Sequence, residues 1–210
     1  MAEYRVPAKE AHTEFTEKRS RFLGHIWRVE TEEEAREKIA QMKTKYYDAR
    51  HNCWCYSIRE GNITRYSDDG EPQGTAGQPM LEVFRREGVE NVCCVVTRYF
   101  GGVLLGTGGL LRAYTRSAKD ALAASGLSVV RQWAETAVEC PYNLLERVKQ
   151  EAAAASGIVT EIEYGAQVCV FALLPAENWS AYAARITELT AGTVEAMKLG
   201  ESFRAVPETP

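Results

Sequence analysis

The chain has 210 residues, 45% of them hydrophobic and 26% charged, with a formal net charge of −4. That is enough apolar material for a core in one large domain or two small ones. The net charge gives no general attraction to nucleic acid or anionic membranes, no apolar run has the length of a membrane span, and the N-terminal MAEYRVPAKE lacks the apolar stretch of a signal peptide.

These properties predict a cytoplasmic protein. The charge is uneven along the chain. Residues 128–210 hold 6 Lys+Arg against 11 Asp+Glu, and residues 1–127 hold 19 against 18. A polyanion contact is therefore expected of the first part.

Residues 1–18 are mixed and polar. Arg19 to Val29 reads as a strand with one polar and one apolar face. Thr31 and Glu34 form a capping box for a helix whose inner face is Ala35, Ile39, Met42 and Tyr46. Ala49 to Arg59 is strand-like, Gly61-Asn62 suggests a turn, and Ile63 to Ser67 a partner strand. Residues 67–79, SDDGEPQGTAGQP, hold too many turn formers to be an element. A helix is predicted from about Pro79, with Met80, Leu81 and Phe84 inward and Gly88 beyond its end.

Asn91 to Phe100 is an apolar β-branched run closing in Thr97 and Arg98. The loop after it carries Gly101, Gly102, Gly106, Gly108 and Gly109, and a helical pattern opens out of the last two and ends at Gly126. Composition then shifts, and a boundary is expected near residues 126–132, dividing the chain into domains 1–127 and 128–210. Strands at Val129–Cys140 and Thr193–Leu199, a hairpin of Ile158–Glu163 and Gln167–Leu174, and helices capped by Asn143 with Glu146 and started by Pro175 give the order β-α-β-β-α-β, the layout of a ferredoxin-like sandwich. The fold class expected is α+β, two α/β sandwich domains.

Strand, glycine loop and helix N-terminus together suit an anion, because backbone N–H groups are free there and the helix dipole favours negative charge. It is not a Walker loop: Gly101 and Gly106 are spaced correctly, but Thr107 stands where the lysine belongs. It is not a dinucleotide fingerprint, since Leu111 stands where a third glycine or alanine is wanted. Arg98, Arg112 and Arg116 near the loop would suit phosphate or a nucleic-acid backbone; the other reading is that the glycines only permit a tight turn and close packing. Asp68, Asp69 and Glu71 could hold Mg²⁺ opposite a phosphate, but pairing with Arg98 and Arg112, bracing one loop against the other, is the better reading. Tyr99-Phe100 could stack on a base or cap the core.

The cysteines Cys53, Cys55, Cys93, Cys94, Cys140 and Cys169 contain no C-x-x-C pair and read as reduced, buried thiols. No metal site is expected from them. His51 with Cys53 could make a nucleophilic pair, although a histidine held in a buried polar network is commoner. Nothing supplies a convincing base or nucleophile, so no catalytic residue and no cofactor is assigned.

DDGEPxGTAGxP (68–79) and VVTRYFGGxxLGxGGLxRAY (95–114) resemble the IMPACT/YigZ family over residues 18–126, and the acidic second part resembles the C-terminal domain of its bacterial YigZ-type members. The resemblance implies a first domain like the second domain of a small-subunit ribosomal protein, and a ferredoxin-like second domain like a late domain of elongation factor G. Similar folds occur in GHMP-type kinases. Eukaryotic members are linked to control of translation initiation through a partner that an extra N-terminal domain contacts, and this chain has no room for that domain. What is implied here is translation- or RNA-related binding, with RNA or a ribosome-associated protein as partner, no membrane and no identifiable small-molecule ligand. The alternative is a small-molecule phosphate- or nucleotide-handling enzyme, although Leu110, Leu111 and Arg112 stand where the kinase loop has serines.

Overall fold

A computed structural model describes residues 3–207. Its contacts divide the chain into two compact units, one centred on Tyr4–Val129 and one on Val130–Arg204.

The first unit contains β1 (Tyr4–Pro7), β2 (Ala11–Glu17), β3 (Ser20–Arg28), α1 (Glu32–Lys45), β4 (His51–Ile58), β5 (Ile63–Ser67), α2 (Gly77–Arg86), β6 (Val92–Tyr99) and α3 (Thr107–Ser125). β2, β3, β6, β4 and β5 make one antiparallel sheet in that order. β6 is central, and its residues from Val92 to Arg98 are buried, which is why it reads as an unbroken apolar run. One face packs Phe22, Ile26, Cys53, Cys55, Cys94 and Val96 against α2 and α3. The other packs Trp27, Tyr56, Cys93 and Val95 against α1.

Residues 11–17, read from sequence only as mixed and polar, form the edge strand β2. Its side chains alternate between half-buried and exposed, and Phe15 stacks on Phe22 at 5.1 Å. The cap of α1 is half a box. Thr31 Oγ1 accepts the Glu34 N–H at 3.2 Å, while Glu34 Oε2 accepts the N–H of Glu30 at 2.7 Å instead of that of Thr31. α2 starts two residues ahead of Pro79, because the Asp68 carboxylate reaches across to accept the N–H groups of Ala76 and Gly77.

The second unit holds most of β7 (Leu127–Cys140), then α4 (Leu145–Ala154), β8 (Ile158–Tyr164), β9 (Val168–Pro175), α5 (Trp179–Leu189) and most of β10 (Ala196–Pro207). The sheet is five-stranded: β1-β7-β9-β8 lie in that order and β10 also pairs β7, with β9 antiparallel to both its neighbours. Val138, Val170 and Leu174 pack on Val148 of α4 and on Tyr182 and Ile186 of α5.

Three predicted boundaries move. Asn143 does not cap α4: it lies inside a 3₁₀ turn, Tyr142–Leu144, and the helix begins at Leu145 without a side-chain cap, since the residue ahead is already α-like and not extended. Pro175 leads into a 3₁₀ turn at Ala176–Asn178 ahead of α5. The last strand starts at Ala196, because the Thr190 hydroxyl holds the Val194 N–H in a loop at 3.2 Å. It runs on past Leu199, and the Arg204 carbonyl accepts Trp133 Nε1 at 3.1 Å.

Candidate functional site

The glycine loop leaves β6 beside the Lys18-Arg19 turn that joins β2 to β3. A Cβ on Gly101 would stand 2.0 Å from the backbone of Arg19, so no side chain fits there. Gly106 is the N-cap of α3 with φ 73°, a conformation that favours glycine. The first turn closes with the Leu110 N–H on the Gly106 carbonyl at 2.9 Å. The N–H groups of Thr107, Gly108 and Gly109 precede that bond, and no side chain caps the helix among the described residues. A 19-residue helix thus presents its positive end at the loop.

The three acidic residues of the neighbouring loop are all engaged within the chain. Asp68 Oδ1 accepts the N–H of Ala76 at 3.0 Å and of Gly77 at 2.9 Å, and Oδ2 accepts that of Gly74 at 2.8 Å. It acts as the anion of the α2 N-terminus. Asp69 accepts the Asn52 N–H at 2.7 Å and pairs with Lys43 at 2.8 Å. Glu71 is buried, and its Oε1 accepts Arg98 Nη1 at 2.7 Å and the Tyr114 hydroxyl at 2.8 Å. Burial pushes the Tyr114 phenol up, with Cys53 and Glu71 adding to the effect, so it stays a donor.

Arg98 is 5% exposed. Besides Glu71 it reaches the Ser20 hydroxyl at 3.3 Å, and its Nε is buried with no partner among the described residues. It therefore sits behind the loop as an internal brace, and its guanidinium is not presented to solvent. Arg112 has no ion-pair partner among the described residues and is exposed. Arg116 stacks over Phe15 at 4.3 Å and pairs with Asp120 at 3.3 Å.

Two depressions flank the loop. One, of about 340 Å³, is lined by Arg50, His51, Arg98, Phe100, Gly106 and Thr107, with Glu71 and leucines completing its wall. The other, of about 230 Å³, is lined by Phe15, Glu17, Lys18, Gly109, Arg112 and Arg116. Leu105 lines both, so they are neighbours. Lys18, Arg19, Arg50 and Arg112 are exposed and carry no ion pair among the described residues, and Glu17 is the acidic residue that shares the second groove. Arg50 and Arg19 carried no motif signal. Their place is set by the register of β4 on β6, which puts His51 opposite Arg98, and by the packing of Gly101 on Arg19.

His51 Nδ1 lies 2.9 Å from the Asp69 carbonyl, which can only accept, so this nitrogen donates, and Nε2 has no partner among the described residues. The Cys53 thiol instead donates to the Asp68 carbonyl at 2.9 Å. Burial pushes that thiol well up, which keeps it from being a thiolate nucleophile. The Tyr99 hydroxyl donates to Asp48 at 2.7 Å, while Phe100 is 45% exposed.

Residues 18–122, which contain the loop, both depressions apart from Phe15 and Glu17, and the bracing acids, match the family described as Impact N-terminal domain. An IMPACT family member from Bacillus subtilis, YvyE, is 39% identical over 184 residues, covering 87% of this chain and 84% of that protein. The chain belongs to the IMPACT family. A family member from Haemophilus influenzae is 32% identical, covering 96% of this chain and all of that one. Residues 138–193 match a domain of unknown function (DUF1949). A solved structure titled "Crystal structure of an hypothetical protein" is similar with a TM-score of 0.60 and 29% identity over 95% of this chain and 98% of that one. In this IMPACT-family chain the matched segment thus includes the uncapped end of α3 and its cations. Among the described residues no helix is long and apolar enough to cross a membrane.

Proposed function

We propose that this chain is a non-catalytic cytosolic binding protein, related to translation, whose first unit grips the phosphate backbone of RNA. The observation that carries the reading is the contrast between two glycine-rich helix starts. The N-terminus of α2 is filled by the chain's own carboxylate, Asp68. The N-terminus of α3 has no side-chain cap among the described residues, and the depressions beside it are lined by Lys18, Arg50 and Arg112. A phosphate would accept from the N–H groups of Thr107, Gly108 and Gly109 and be neutralised by Arg50 and Arg112, with Arg116 at the far side of the groove. Gly101, Gly102 and Gly106 shape the loop, and Arg98 with Glu71 holds it in place.

The β-α-β-β-α-β order and the β10-β7-β9-β8 part of the sheet support a ferredoxin-like reading of the second unit. With it comes the likeness to a late elongation-factor domain that the family resemblance implies, beside a ribosomal-protein-like first domain. A ribosome-associated protein is then the natural partner for this acidic unit.

The test is binding of a fluorescent RNA at several salt concentrations. A single strand loses about 0.7 in log–log slope for each phosphate contact removed. Arg50→Ala and Arg112→Ala should each weaken binding and flatten the slope by about that amount. Unchanged affinity and slope in both variants would overturn the proposal.

A further inference from the structure

We infer that the cleft beside α3 takes a single-stranded polynucleotide, with Phe100 as the platform on which one base stacks. The inference rests on the proposed RNA-binding reading and narrows its ligand from any phosphate backbone to an unpaired strand.

Phe100 is the first residue after β6, and it is 45% exposed where the residues before it are mostly buried. An aromatic ring so placed loses the burial that usually justifies it. It does have a partner on one side. The Arg98 guanidinium lies over the ring, 5.5 Å from its centroid, and is itself held inside the unit by hydrogen bonds to Glu71 and Ser20. One face of the ring is therefore backed by a buried cation, and the exposure belongs to the rest. Leu104, 82% exposed, lines the same cleft and extends its apolar wall.

Phe100 shares this cleft with Gly106 and Thr107, where the helix presents its N–H groups, and with Arg50. The cleft measures about 340 Å³, within the range of about 300–1,000 Å³ usual for small-ligand sites. It can thus receive one nucleotide, with the phosphate at the helix start and the base on the ring. In a duplex both faces of each base are covered by the neighbouring pairs, so only an unpaired or splayed base can lie on the ring. Stacking tolerates any base. His51 lines the same cleft, and its Nε2 has no hydrogen-bond partner among the described residues.

The experiment compares a 12-nucleotide single strand, the same strand with abasic sites, and a 12-base-pair duplex, each titrated into wild-type, Phe100→Ala and Phe100→Trp protein at one salt concentration. Phe100→Ala should weaken the intact single strand about tenfold and leave the abasic strand and the duplex unchanged. Phe100→Trp should restore single-strand binding. Equal weakening of single strand and duplex, or no effect of Phe100→Ala on the single strand, overturns the inference. In that case loss of binding in Arg50→Ala and Arg112→Ala would still uphold the phosphate-backbone reading. If wild-type protein binds none of the three, both fall.

Discussion

Glu71→Gln is the substitution that most sharply tests how the glycine loop is held. Glu71 Oε1 accepts both Arg98 Nη1 and the Tyr114 hydroxyl. The amide oxygen of glutamine is nearly the same shape and can keep both hydrogen bonds, so the change removes the charge alone. The side chains of Arg98 and Glu71 are 6% and 3% exposed, so water cannot replace the lost counter-charge. Leaving a buried charge uncompensated costs about 3–5 kcal/mol. For a chain of this size, at about 2–4 °C per kcal/mol, Tm should fall by about 6–20 °C. Urea unfolding at 25 °C, followed by tryptophan fluorescence, gives the free energy directly. Arg98→Gln combined with Glu71→Gln should cost less than the sum of the two single changes, with a coupling of about 0.5–3 kcal/mol. A Glu71→Gln loss below about 1 kcal/mol, or strict additivity, would refute the idea that this ion pair fixes the loop.

Gly101→Ala must push the Lys18-Arg19 turn aside, and a loss of about 1–3 kcal/mol is expected in the same urea assay. Gly106→Ala forces a side chain into a positive-φ, extended-ψ conformation that essentially only glycine adopts, with open space around it, so about 1–3 kcal/mol should be lost from strain alone. Asp68→Ala orphans three N–H groups at the start of α2 and should cost about 1–2 kcal/mol, read by urea unfolding, while Asp68→Asn should recover part of it. His25 lies against Tyr46 and Trp27, and burial, with smaller effects of Lys45 and His12, pushes its pKa down to about 4. Between pH 6.5 and 4 the unfolded chain binds a proton at this position that the folded chain does not, so stability falls as pH falls through that window. His25→Gln should remove that part of the slope, measured as the difference between the two unfolding curves from pH 7 to 4.

The elements with one clear period were readable from residues alone. β6 was visible because both its faces are buried, and α1 because Ala35, Ile39 and Met42 recur on one face. β2 was not: an edge strand packed only through Phe15 and half-buried neighbours has too weak an alternation to stand out. The start of α2 was misplaced because its cap, Asp68, is nine residues away from Gly77 and no local pattern connects them. The arginines of the site divide for a similar reason. Sequence placed Arg98, Arg112 and Arg116 near one loop, but strand register decides that Arg98 is sealed behind it while Arg50 stands in front. The bracing acids could be proposed from composition, yet only the fold shows that each carboxylate has a different duty: Asp68 on a helix start, Asp69 on Lys43 and the β4 backbone, Glu71 on Arg98 and Tyr114.

The start of α3 is where the phosphate should sit. Backbone amide NMR during titration with a short single-stranded RNA reads it without any mutation. Saturable shifts concentrated at the N–H groups of Thr107, Gly108 and Gly109, weakening as salt rises, are expected. Saturable binding whose shifts leave those three amides unmoved and cluster elsewhere would contradict that placement.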